Sequence, residues 1–234
     1  MVRINRSPLV SPALTERKSY TADDIIDQLE HDSGNKCYIC ELAKLPDINV
    51  EHLHPHHGDP DLKFDWNNLF LCCPHCNSIK NRAVYEKDII DCCLVDPELL
   101  VDQRVNDDKI TVSARVDTQE ARNTAALIED CFELRNHRIR KNGADVRSEE
   151  LRKTKLRLKM RLRAYSAPNQ TDAKKERHFA MLRGMLSRKA KFAGFLRTYI
   201  RDHQNEYPEL ASFVALESPG EKAETEYNRT EVSV

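Results

Sequence analysis

No stretch of the 234 residues is apolar over the ~20 positions that a bilayer-spanning helix needs, so the sequence offers no membrane anchor. Residues 1–19 carry basic side chains but lack the apolar core of a secretory signal, and the expected compartment is the cytoplasm. Aromatic residues are scarce at 6%, against a charged fraction of 32%. The core must therefore rest mainly on Leu, Ile and Val, in a chain that reads as soluble and helix-prone. There is no internal repeat and no recognised base-reading module, so nothing in the sequence specifies a target base sequence. Cations are also scarce over residues 20–134, with 10 Lys and Arg against 24 Asp and Glu, a balance of −14. They crowd instead into 135–163, with 12 against 3, a balance of +9. Such a split suits a polyanionic partner, and equally an attraction between the two parts.

Cysteine is plentiful, with 8 residues. Two Cys-x-x-Cys pairs, Cys37/Cys40 and Cys73/Cys76, have the spacing of zinc knuckles, which points to a reducing compartment rather than to disulfides. Zn²⁺ takes four thiolates in a tetrahedron and supplies folding free energy to a weak core. The 32 residues between Cys40 and Cys73 are enough to enclose a hairpin and a loop. Cys72 is also placed to be a ligand, although the x-x spacing selects Cys73. Cys92, Cys93 and Cys131 have no partner at metal spacing and read as core thiols.

Between the pairs lies Val50-Glu51-His52-Leu53-His54-Pro55, and Asn77 follows the last cysteine, with Lys80 three residues on. In this order the pieces predict an α+β fold. A zinc-stapled ββα-metal core holds an acid, a histidine and an amide around a second ion, and a mainly α-helical C-terminal region follows it. The expected units are a poorly ordered N-terminal arm (1–19), the core domain (20–116), a helical region (117–210) and a flexible acidic tail (211–234). Within them, Thr21 opens a helix over Asp23–Glu30, with Asp24 placed for a capping box. A strand covers Val50–Leu53, a loop 56–63 and the first turns of a helix Pro74–Arg82. An extended segment runs through 89–96 and is closed by Pro97, and a strand covers Lys109–Val116. Helical patterns occupy 118–141, 148–165 and 171–204. The 148–165 stretch alternates at period two, but its residues are strong helix formers without β-branching.

Cys37-x-x-Cys40, Glu51-His52-x-x-Pro55, Asn68-Leu69 and Cys73-x-x-Cys76-Asn77-x-x-Lys80 together resemble the HNH (ββα-metal) nuclease family in its four-cysteine form, over residues 36–82. The segment FDWNNLF and the pair Asp96-Pro97 are similar to the HNH effectors of Septu and retron-type anti-phage systems. The resemblance implies hydrolysis of DNA, expected to be double-stranded, with 5′-phosphate and 3′-hydroxyl products, and a partner ATPase that gates the cutting. It makes His52 the general base and Asn68 the residue that orients it; Asn67 is a possible substitute. Glu51 and Asn77 become ligands of a catalytic Mg²⁺ or Mn²⁺, and Cys37, Cys40, Cys73 and Cys76 ligands of the structural Zn²⁺.

The chemistry is coherent. A near-neutral histidine suits deprotonation of water, and a hard cation with oxygen ligands suits a developing phosphoryl charge. Strand neighbours point to opposite faces, so Glu51 and His52 cooperate only at a bend, which Pro55 is placed to supply. Lys80 and His54 are candidate substrate contacts. His56 and His57 read as solvated loop residues, His75 as a surface residue of the knuckle and Trp66 as a core anchor. A non-catalytic zinc module that binds nucleic acid or protein accounts equally well for the cysteines and the basic helices. It has no need of the Glu51, His52 and Asn77 set.

Overall fold

The structure, a computed structural model, describes residues 1–106, 109–133 and 138–216. It mixes helices with two antiparallel two-stranded sheets. Among the described residues no helix is long and apolar enough to cross a membrane.

Residues 1–19 are packed down rather than loose. Met1, Val2 and Ile4 are buried. The Met1 amino group donates to Glu41 at 2.8 Å and to Gln103 at 2.5 Å. The Arg6 guanidinium lies over the Trp66 and Phe70 rings at 4.8 and 4.6 Å, and Trp66 donates its indole N–H to the Ser7 carbonyl. A short helix, α1 (Pro12–Thr15), follows. These contacts come from residues far along the chain, so Pro8, Pro12 and their serines misled the local reading.

Helix α2 (Asp23–Ser33) outruns its expected end, and its N-cap is Ala22 with no side-chain cap. The expected capping box does not form, because Ser19 Oγ accepts from the Thr21 N–H instead. Gly34 closes the helix at φ 71°, where a Cβ would stand 2.9 Å from that of Lys189. Conformation and space both require glycine there.

Strand β1 (Asn49–His52) pairs antiparallel with β2 (Leu69–Cys72), setting Glu51 opposite Phe70 and His52 opposite Leu69. The link between them holds a short helix, α3 (Pro60–Lys63), inside the stretch expected to be loop; Asp59 caps it and Pro60 opens it. Helix α4 (Pro74–Lys80) follows β2 after one residue, with Cys73 as N-cap and Pro74 in its first turn. Strand alternation sends Val50 towards Ile25, Leu29, Leu69 and Leu71. It sends Leu53 the other way, into the main core with Phe70, Ile79 and the cysteines.

Pro97 opens a helix, α5 (Pro97–Leu100), rather than closing an extended segment. Strand β3 (Val101–Val105), not anticipated from sequence, pairs with β4 (Ile110–Ala114), which lies inside the expected 109–116 strand. Helix α6 (Gln119–Phe132) adds Leu127, Ile128, Cys131 and Phe132 to the main core; Leu134, expected on the same stripe, lies outside the described residues. Helix α7 (Arg138–Tyr165) confirms helix over the alternating stretch. The expected helical run 171–204 divides into α8 (Asp172–Leu186) and α9 (Ala193–Asp202). Helix α10 (Pro208–Phe213) and buried Val214 occupy the start of the expected tail. Residues 217–234 lie outside the described residues.

Two buried ion clusters fasten the helices to the first half. Glu41 accepts from Met1, from Lys36 at 2.7 Å and from the Gly194 N–H at 3.0 Å. Burial pushes its carboxyl up, but the Lys36 ammonium and the amino terminus hold it down at about 2. On α5, Glu98 is wholly buried; both its oxygens accept from Arg197 Nε at 2.9 Å and one accepts from Arg201 at 2.7 Å.

Candidate functional site

The four expected cysteines meet. The sulfurs of Cys37, Cys40, Cys73 and Cys76 lie within 4.8 Å of one another, all buried. Cys40 and Cys73 are 4.0 Å apart, close to the about 3.8 Å edge of a tetrahedron with ~2.3 Å Zn–S bonds. Four converging thiols on two tight turns fit a soft tetrahedral ion such as zinc. Cys72 lies outside the group, although its sulfur is 3.8 Å from that of Cys37. Burial pushes the Cys37, Cys40 and Cys76 thiols up. Hydrogen bonds from Cys37, Cys40 and Cys76 pull Cys73 well down, and Arg147 adds to that.

Arg147 arrives from α7, 74 residues away, and donates to the Cys73 sulfur at 2.9 Å. Burial alone would lower this guanidinium, but the thiol cluster holds it up. A four-thiolate zinc carries net charge −2, so a buried cation beside it offsets part of that charge. Helix α7 comes close here: a Cβ on Gly143 would stand 2.4 Å from the His75 ring. His75, half-buried, donates from Nε2 to the Cys131 carbonyl at 3.1 Å, so it is a packing contact as well as part of the knuckle's surface. No sequence signal links Arg147 to the cysteines. Replacing it with methionine is expected to speed transfer of zinc to a colorimetric chelator several-fold, with Arg147→Lys intermediate; an unchanged transfer rate would remove it from the metal's surroundings.

The second expected site is not assembled. Glu51 and His52 stand on opposite faces of β1. Glu51 is 3% exposed and turned into the core, where Tyr38 Oη donates to it at 2.5 Å and the Lys80 ammonium lies at 3.5 Å. Burial raises its carboxyl to about 7, against the opposing pull of Lys80 and Tyr38. An internal ammonium already serves this carboxylate, so the residues do not fit a hard ion held between Glu51 and Asn77. Asn77 is half-buried on α4. Among the described residues the four-cysteine group is the only cluster of Cys, His, Asp or Glu close enough to hold an ion. Lys80 is not a surface phosphate clamp either: it is 1% exposed and donates to the Leu53 carbonyl at 2.9 Å.

His52 points to the other face, half-buried, with Tyr20 and His56 edge-on at 4.8 and 4.9 Å. Its Nε2 lies 3.0 Å from the Lys63 carbonyl. A carbonyl only accepts, so Nε2 carries the proton, and the neutral ring keeps its basic lone pair on Nδ1. Burial lowers this imidazole, which favours the neutral ring. Asn68 makes no side-chain hydrogen bond to His52 among the described residues. It accepts from the His54 N–H at 2.7 Å and donates to the His54 and Leu62 carbonyls at 2.9 and 3.0 Å. It thereby pins the loop whose next residue, Lys63, holds the imidazole. His54 is exposed. Sequence reasoning missed Tyr38 and the Lys63 carbonyl; neither side-chain type nor spacing signals a backbone acceptor.

Scans of the chain against protein-family models, curated proteins and solved structures returned no significant match.

Proposed function

We propose that the chain is a hydrolytic nuclease of the HNH kind acting on duplex DNA, with β1, β2 and α4 as its ββα core. One observation carries the reading: the solitary lone pair of a neutral histidine, oriented through Nε2 by a loop that Asn68 clamps. In the proposed step Nδ1 of His52 takes a proton from water, the hydroxide attacks phosphorus, and the P–O3′ bond breaks, leaving 5′-phosphate and 3′-hydroxyl ends once the departing oxygen is protonated. Hydrolysis of this kind draws on a divalent ion such as Mg²⁺ or Mn²⁺ to neutralise phosphoryl charge; neither Glu51 nor Asn77 is assigned to hold it, and the proposed step rests on His52 alone. The thiolate-bound zinc is structural. The same reading makes the chain an anti-phage effector gated by an ATPase, so cutting by the isolated chain is expected to be weak.

The test is conversion of supercoiled plasmid to nicked circles with Mg²⁺ or Mn²⁺. His52→Ala is expected to lose at least about 100-fold in rate, within the range a general base contributes, while keeping its zinc. A second reading, a zinc module that binds without cutting, is favoured by the inward turn of Glu51. It prevails if wild type and His52→Ala are equally inert with every candidate partner present.

A further inference from the structure

We propose that the outer face of α7, centred on Arg157 and Arg161, binds the phosphate backbone of duplex DNA. This deepens the nuclease reading by naming where its substrate is held, and it stands on charge and exposure rather than on the hairpin. Helix α7 carries eleven Lys and Arg against three Asp and Glu. Its inner face is spent on packing: Leu151, Leu158 and Leu162 are buried, the last two against Leu182, Leu186, Leu196 and Ile200. Arg147 is spent on the cysteine cluster, but Arg157, Arg161 and Arg163 are exposed.

What sets these arginines apart is that no carboxylate meets them directly; the acid that acts on Arg157 from a distance, Glu150, is already held by Lys153 and Lys191. Every arginine from residue 17 to 122 meets a carboxylate: Arg17 with Asp61, Arg82 with Asp130, Arg104 with Asp202, Arg115 with Asp102 and Arg122 with Asp117. On α7, Lys153 is taken by Glu149 and Glu150. Beyond it Arg157 and Arg161 make no hydrogen bond or ion pair among the described residues. The catalytic half, at −14 over residues 20–134, repels a polyanion and needs cations from elsewhere to hold one. Residues four apart on a helix rise about 6 Å, close to two base steps of ~3.4 Å along one strand. The pair can therefore reach separate phosphates along one strand.

Leu156 and Met160, 58% and 61% exposed, lie beside the arginines. A phosphate backbone has no use for them, whereas a docking protein would cover them, which gives the experiment its second arm. Full-length protein carrying His52→Ala is titrated onto a labelled 20-base-pair duplex of arbitrary sequence and followed by fluorescence anisotropy across salt concentrations. Adding Arg157→Glu and Arg161→Glu is expected to weaken binding roughly tenfold or more and to flatten the slope of log K against log salt by about 1.8, or ~0.9 per lost phosphate contact. Leu156→Ser with Met160→Ser is expected to change neither, and circular dichroism checks that each variant is folded. Unaltered affinity and slope after charge reversal, or no binding by the parent, overturns the proposal. So does an equal loss from the Leu156 and Met160 changes, which would turn this face over to a protein partner. The readout is binding, so a nuclease reading that fails by equal cutting in His52→Ala leaves this result interpretable.

Discussion

Stripping the ion from the four thiolates with a strong chelator at neutral pH is expected to abolish the cooperative thermal transition, and Cys73→Ser is expected to reproduce the effect without chelator. Cys37, Cys40, Cys73 and Cys76 are not at the rim of the fold. They sit in the main core with Tyr38, Phe70, Ile79, Leu127 and Phe192. Binding of zinc at such sites contributes on the order of 10 kcal/mol or more, comparable to the ~5–15 kcal/mol that separates a typical native state from the unfolded chain. Without the ion, burial would keep the Cys37, Cys40 and Cys76 thiols protonated around Cys73, and Cys73 alone would be left as counter-charge to the Arg147 guanidinium. Circular dichroism melts of metal-loaded and metal-free protein provide the measurement. A metal-free sample melting within a few degrees of the loaded one would deny the cysteines a structural ion.

The second large effect concerns Lys80 and Glu51. Lys80→Met leaves a carboxyl buried at 3% exposure with only the Tyr38 hydroxyl for company. Removing one member of a buried ion pair costs about 3 kcal/mol or more, and the loss is read at pH 8, where the folded-state Glu51 is ionised. Adding Glu51→Gln to Lys80→Met is expected to restore most of the loss, because a neutral amide needs no counter-charge. The pH dependence has a definite sign. In the folded state Glu51 holds its proton up to about 7, whereas an ordinary solvated glutamate releases it at 4.5. Between those values the native state binds the extra proton, so this group makes stability fall as pH rises, by ~1.4 kcal/mol per unit. Glu51→Gln is expected to flatten that slope in urea titrations at pH 5 and 7. A loss under about 1 kcal/mol from Lys80→Met would mean that the ammonium is solvated and free for phosphate, as the Asn-x-x-Lys spacing suggested.

Local pattern exposed what depends on neighbours in sequence. The x-x spacing picked out Cys37, Cys40, Cys73 and Cys76, and the Val-Glu-His run located β1 to within a residue. Alternation was in plain view at Val101, Gln103 and Val105, but a polar residue at the central inward position hid strand β3; Gln103 is buried because it donates to the Met1 carbonyl at 2.8 Å. The break between α8 and α9 has no proline to announce it. Lys36 holds it open by donating to the Arg188 and Ala190 carbonyls at 2.6 and 3.1 Å, about 150 residues away in sequence. The site divides in the same way. His52 and Asn68 were found as residue types, but their partners are backbone carbonyls and amides that no side-chain motif encodes. Glu51 and Lys80 were found as a pattern and misread in role, because spacing does not say which face of a strand is covered.

The most direct test of the nuclease claim is the pH–rate profile of plasmid cleavage, wild type beside His52→Ala, each with zinc content verified. A base that works unprotonated gives a rate that climbs with pH through the lowered imidazole value and then levels off. The prediction is that inflection in wild type, with the variant slow and lacking it. Cleavage by His52→Ala at the wild-type rate and with the same profile would contradict the assignment.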